Sequence, residues 1–241
     1  MSALGHYLEE DGIATVAIAL IRPQAENTRP PRALWVPFEL GRPFGPPSDV
    51  AFQKRVLLSA LGMLVEGGGP TRIIDFPDDD PRAQPDLTWK PPFVSAAVGG
   101  GDVEALAAGL RAEVLSLQDA HQRWMARHGR STVGLSGLSI AACAQYVADW
   151  LTGKAPPSPR DGFSAPLILR FAVDDLKAYC LEAAGETGEP SSRQLGDWLW
   201  NQTATGEALH ALRQLLLAHA DERLRLIVAN FMVPGARLRA G

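Results

Sequence analysis

Arg22, Glu39 and Arg42 are the side chains whose type and spacing most readily suggest a binding chemistry. Two of them belong to the loop Glu39-Leu40-Gly41-Arg42-Pro43-Phe44-Gly45-Pro46-Pro47. Its prolines stiffen the path, while Gly41 and Gly45 can take left-handed backbone or let a ligand approach the main chain. A guanidinium can hold a carboxylate through two parallel hydrogen bonds, and the Glu39 carboxylate can pair with an ammonium. Arg22, Glu39 and Arg42, with Gly41 and Gly45 beside them, are therefore the candidate pocket residues. The same residues also make an ordinary set of loop salt bridges, and the sequence leaves both readings open. A helix opening at Ser48 or Asp49 would add free N–H groups that favour an anion beside Arg42. The spacing is neither a G-x-G-x-x-G fingerprint nor a P-loop.

Other reactive residue types have blander readings. Gly134-Leu135-Ser136 begins like a nucleophile elbow, but Leu138 stands where G-x-S-x-G requires its last glycine. The two cysteines, Cys143 and Cys180, lie among apolar neighbours with no C-x-x-C or metal-ligand spacing, as buried small hydrophobes would. His121 falls on an apolar helical stripe and is expected to be a core histidine bonded to a carbonyl or carboxylate. Asp75, Asp78, Asp79 and Asp80 sit in a proline-broken stretch without an EF-hand pattern, which points to a solvated acidic loop. Asp197, Asn201, Glu207 and His210 fit either a cavity wall or a solvated helix face. No catalytic residue, metal site or cofactor is assigned on these grounds.

The elements that would position these groups read as an α/β start followed by helices. Ser2 to Asp11 suits a short helix, and the apolar run Ile13–Ile21 suits a strand covered on both faces. Arg22 to Arg32 reads as a loop, too proline-broken for a crossover helix. Ala33–Phe38 is a second strand, whose direction relative to the first stays open. Asp49 to Glu66 is a helix stopped by Gly67-Gly68-Gly69-Pro70, and Arg72–Ile74 a short third strand. Pro81 to Pro92, continuing to Gly99-Gly100-Gly101, is the expected boundary. One long helix is then expected from Asp102 to His128, another from Ile140 to Thr152, and a segment at Leu167 that starts extended and turns helical. Helices capped by Ser191 or Ser192, over Gly206–His219 and from Asp221, complete the chain. The fold class is thus a partial Rossmann- or flavodoxin-like layer over residues 1–90 and a mostly helical region over 91–241.

Bulk properties narrow the setting. The chain has 241 residues, a net charge of −4 and 46% hydrophobic residues, which fits a globular protein with a sizeable core. The arginines are scattered rather than striped, so nucleic acid is not an expected partner. No apolar run approaches the roughly 18 residues needed to span a bilayer, so no membrane role is expected either. The N-terminus lacks a secretory pattern, which makes the cytoplasm the expected location.

The ordered set Gly12-Ile13-Ala14-Thr15-Val16, Arg22 at the strand end, Arg29-Pro30-Pro31-Arg32-Ala33-Leu34-Trp35, Gly41-Arg42-Pro43-Phe44-Gly45 and Phe52-Gln53-Lys54-Arg55-Val56-Leu57 resembles the C-terminal part of the selenoprotein B family of glycine, betaine, sarcosine and D-proline reductases. The resemblance covers about the first third of the chain. It implies a reductase-related protein acting on a small amine or amino-acid-like substrate. In that family a selenocysteine or cysteine, with another cysteine close behind it, lies just upstream of a helix like Ser2–Asp11 and attacks the substrate. This sequence has neither residue there. Either Met1 is an internal methionine downstream of an in-frame UGA, or the chain is a non-catalytic relative that binds a small molecule or a partner subunit. A sheet lacking its first strands would leave an open border, so an oligomer or a partner subunit is expected.

Overall fold

Parity sorts the side chains of the first apolar run. Val16, Ile18 and Leu20 pack toward a core built from Leu34, Val36, Phe38, Phe52, Val56, Ala60, Met63 and Phe76, and the intervening Ala17 and Ala19 point to the opposite face. This is seen in a computed structural model, which describes residues 2–65, 71–93 and 102–238. The chain divides into two units, Met1–Gln84 and Pro85–Gly241.

The first unit runs α1 (Ser2–Glu10), β1 (Ala17–Ala19), α2 (Arg22–Thr28), β2 (Arg32–Trp35), α3 (Val50–Val65) and β3 (Arg72–Asp75). The expected loop over Arg22–Arg32 is corrected: its first seven residues form α2. Pro23 sits in the first turn, where its missing N–H costs no intrahelical bond and its fixed φ suits the helix. Arg29 ends the helix in the left-handed region at φ 45°. With α2 in place, Leu20 to Pro31 supply the dozen or so residues that a parallel crossover needs. The sheet accordingly has the order β1-β2-β3 with both pairs parallel, which settles the strand direction that the sequence left open. Ala17 lies opposite Ala33, and Leu34 opposite Ile74. The strands are shorter than the apolar runs that announce them.

The phenylalanines lock α3 to the sheet. Phe38, Phe52 and Phe76 form a ring cluster with centroids 5.4 to 5.9 Å apart in edge-on or tilted settings, which suit the aromatic quadrupole. Asp49 caps α3 by accepting the Phe52 N–H at 2.9 Å. The glycine stop expected at Gly67–Pro70, like Glu66 before it, lies outside the described residues.

The second unit is helical: α4 (Val103–Ser116), α5 (Gln118–His128), α6 (Ile140–Leu151), α7 (Ala165–Gly185), α8 (Ser192–Asn201), α9 (Ala204–Leu217) and α10 (Glu222–Ile227). Two expectations are corrected here. The long helix over Asp102–His128 is two helices, because the chain bends at Leu117, which is itself fully buried. The bend lets α4 pack on α6 and α9 while α5 turns onto α7. The segment at Leu167 is helical from its start, with Pro166 in the first turn of α7. α7 is the central post, burying Ile168, Leu169, Ala172, Val173, Leu176, Cys180, Ala183 and Ala184. Its length and apolar circumference follow from being covered on several sides.

The segment after Gln84 is tied to the helices. Gln194 exchanges hydrogen bonds with both backbone groups of Asp86, the Trp89 indole N–H donates to Ala184 O, and Trp198 donates to Phe93 O. Gly99–Gly101 lies outside the described residues. No helix among the described residues is long and apolar enough to cross a membrane.

The turn between α8 and α9 is closed by Gly206. A Cβ there would stand 2.1 Å from the Leu199 carbonyl oxygen. Gly206→Ala is expected to lower stability by about 3 kcal/mol, because the backbone of two helices must separate. Urea unfolding followed by tryptophan fluorescence measures it, and a change below about 0.5 kcal/mol contradicts the packing described.

Candidate functional site

The exposed border of the sheet is where a chemical opportunity remains. Val36 N–H donates to Ala19 O at 2.9 Å, so Ala19, and with it Ala17, turns both backbone groups toward β2. By the two-residue alternation of a strand, the N–H and C=O of Ile18 point the other way, as do those of Val16 and Leu20. No strand among the described residues pairs with that side. β1 is also only half-buried along its length.

A groove of about 420 Å³ follows this border. Its walls are Ala17–Ile21, α2 through Gln24, Ala25 and Thr28, and Ala3, Pro30 and Leu40. A second hollow of about 160 Å³ shares Ala17 and Pro30 with it and continues toward Leu4, Leu8 and Thr15. Exposed Leu4, Tyr7, Ile13, Ile21 and Leu40 belong to the segments around the two hollows. α1 is fastened beside them: the Glu9 carboxylate accepts from Thr15 N–H at 2.7 Å and pairs with Arg32. Hydrogen bonds from Thr15, opposed by burial, hold the Glu9 carboxyl below its usual range.

The sequence-predicted site residues are placed unevenly around this groove. Arg22 opens α2 next to Ile21, but its guanidinium is committed to Asp75 and Glu26 and lies 5.6 Å from the centre of the Trp35 ring. Glu39 and Arg42 are exposed, and neither side chain has a hydrogen bond or ion pair among the described residues. The backbone ties them into one turn, with Arg42 N–H donating to Glu39 O at 3.0 Å. Leu40, between them in sequence, lines the groove. Gly41 and Gly45 have φ of 92° and 83°, the first of the two roles that the loop reading left open for them. At Gly45 a second reason exists, because a Cβ would stand 2.5 Å from the Phe52 ring.

The acidic loop disperses its carboxylates. Asp75 pairs with Arg22, Asp78 with Arg55 at 2.9 Å, and Asp80 caps the 3₁₀ turn Pro81–Ala83 through Arg82 N–H. Among the described residues no group of three or more His, Cys, Asp or Glu is placed to hold a metal ion.

In the helical unit, three sequestered carboxylates hold backbone together. Asp175, fully buried on α7, accepts the N–H groups of Gly134, Leu135 and Ser136 at 2.8 to 2.9 Å and the Ser136 hydroxyl at 2.5 Å. Ser136 is therefore a buried donor with no histidine on it, unlike the nucleophile of an elbow. Arg160 closes the same loop from outside by donating to the Leu135 and Ser136 carbonyls. Glu182 accepts from Ser131, from Thr132 N–H and hydroxyl, and lies 2.8 Å from His121 Nε2. His121 is thus bonded to a carboxylate, as expected for a core histidine. Glu113 takes the first N–H groups of α9, at Ala204 and Thr205. The sequence reading missed these clamps. Isolated acids at Glu113, Asp175 and Glu182 within apolar helical stripes were the available signal, since such residues are rarely buried unless paired.

The cysteines are not poised for chemistry. Burial pushes the Cys143 thiol up to about 11, helped by the Asp175 charge, and pushes Cys180 up further. A neutral buried thiol is a poor nucleophile at neutral pH.

No family model, curated protein or solved structure matches the chain.

The clamps set an acid dependence. Burial works to raise the Glu182 carboxyl, but the combined bonds from Ser131, Thr132 and His121 hold it below its ordinary value of 4.5. A folded pKa below the unfolded one gives stability that is present above about pH 4.5 and is lost as pH falls through the lowered value. Burial raises Glu113, which acts in the opposite direction by favouring the fold at lower pH. Glu182→Gln is expected to cost about 2 kcal/mol at pH 7 and to flatten the acid limb of a denaturation series between pH 7 and 3. An unchanged acid limb contradicts the clamp.

Proposed function

We propose that the chain acts as a non-catalytic assembly component, which completes its sheet by taking a strand of another polypeptide along the outer border of β1. The reading rests on the outward N–H and C=O of Ile18 beside an apolar groove. Unpaired strand borders are templates for an added strand, with main-chain bonds supplying affinity and alternating pockets supplying selectivity. A partial Rossmann- or flavodoxin-like layer with its missing strands supplied from elsewhere agrees with this reading. So do the two buried cysteines, neither of which provides the reductive nucleophile of the resembling family.

Glu39 and Arg42 favour a second reading for the same unit. They are free charges of opposite sign on a turn whose Leu40 lines the groove, at the carboxyl end of β2, where open α/β sheets take ligands. In this reading the chain is a reductase-related subunit that holds a small amine or amino-acid-like molecule, and the redox nucleophile comes from another segment or subunit. The expected result is a concentration-dependent rise in melting temperature with glycine, sarcosine, betaine or D-proline that is lost in Glu39→Gln and Arg42→Gln. No shift with any of the four removes the ligand reading.

Strand docking is tested with a labelled synthetic peptide of the chain's own residues 13–21. Saturable binding by fluorescence anisotropy is expected. It should be lost when the peptide is N-methylated at both Ile18 and Ala19, which removes a donor from either edge. Absent binding, or equal binding of the methylated peptide, overturns the assembly reading.

A further inference from the structure

We infer that the polypeptide answering β1 is a second copy of this chain, its β1 antiparallel to the first across a twofold axis, giving a continuous sheet of order β3-β2-β1-β1-β2-β3. The inference rests on the strand-docking reading and names its partner.

The border is self-complementary at the level of the backbone. Under a twofold axis a strand meets its own copy antiparallel, and a residue on the axis exchanges N–H···O bonds with itself in both directions. Ile18 sits at the middle of β1, with both of its groups turned outward.

The two ends of the border match when they are exchanged. At the beginning of β1 lie Glu10 and Asp11, exposed at the end of α1. At the other end lie exposed Glu39 and Arg42. None of these four side chains has an ion pair among the described residues. The antiparallel arrangement brings Arg42 toward the partner's Glu10 and Asp11. A parallel arrangement would oppose like ends. The apolar residues Ile13 (55% exposed), Ile21 (46%) and Leu40 (73%) lie toward the two ends of the same border. Opposite charges at the rim contribute specificity and orientation more than affinity, while the paired backbone and covered apolar surface supply the affinity.

Sedimentation velocity on the full chain over a micromolar range is the test, together with hydrogen exchange at the Ile18 and Leu20 amides and the residue 13–21 peptide assay. A dimer is expected, with both amides protected as concentration rises. Arg42→Glu, a surface change outside the core, should weaken the dimer at least tenfold, as should Glu10→Arg with Asp11→Arg. The three substitutions in one chain should restore it. A chain that stays monomeric yet binds the peptide overturns the second-copy inference and leaves strand docking standing. A dimer indifferent to the charge swap, with Ile18 exchange independent of concentration, places the contact elsewhere and also overturns it. A monomer that binds no peptide removes both.

Discussion

Backbone N–H groups that leave water must find an acceptor, and that constraint organises both halves of this protein. In the helical unit it is met by carboxylates on helices. Asp175 gathers three consecutive amides, Glu182 holds the residues before them, and Glu113 receives the opening of α9. At the sheet border the backbone is left open to solvent instead. Ile18 points its amide and carbonyl away from β2, and among the described residues no strand answers. The functional reading follows from that contrast.

The clamps also explain how a long irregular loop between α5 and α6 can be well defined. Loops cost conformational entropy and seldom bury their polar groups. Here the segment from Ser131 to Ser136 is pinned by two acids about two turns apart on α7 and braced by Arg160, which stacks against Phe163 at 4.3 Å. Burying a carboxylate is costly unless several donors converge on it, and convergence is what the loop provides. A motif that looked like the start of a nucleophile elbow turns out to be this anchor.

Around β1, packing and exposure divide the work. The face carrying Val16, Ile18 and Leu20 is covered by α3 and the phenylalanine cluster, which fixes the register, since a one-residue slip would turn these side chains out. The border beside it stays half-buried and apolar. Arg22 pairs with Asp75 and Glu26, whereas Glu39 and Arg42 have no ion pair among the described residues. The charges that could serve a ligand and the border that could serve a partner therefore share one end of the sheet.

Much of the architecture was legible before any coordinate. Helix caps at Asp49, Asp102, Ser191 and Asp221 are local chemistry, and each side chain bonds the amides that a helix start leaves open. The apolar runs located three strands, and the positive φ of Gly41 and Gly45 was implied by residue type. Helix over Arg22–Thr28, the bend at Leu117 and the helical start of α7 were not legible, because each depends on what the segment packs against. The parallel order β1-β2-β3, the pairing of Arg22 with Asp75 and the gathering of distant amides onto Asp175 are likewise decided in three dimensions. Sequence determines local hydrogen bonding and the period of apolar residues. Which distant groups meet is set by closing a core, and that closure is a property of the whole chain.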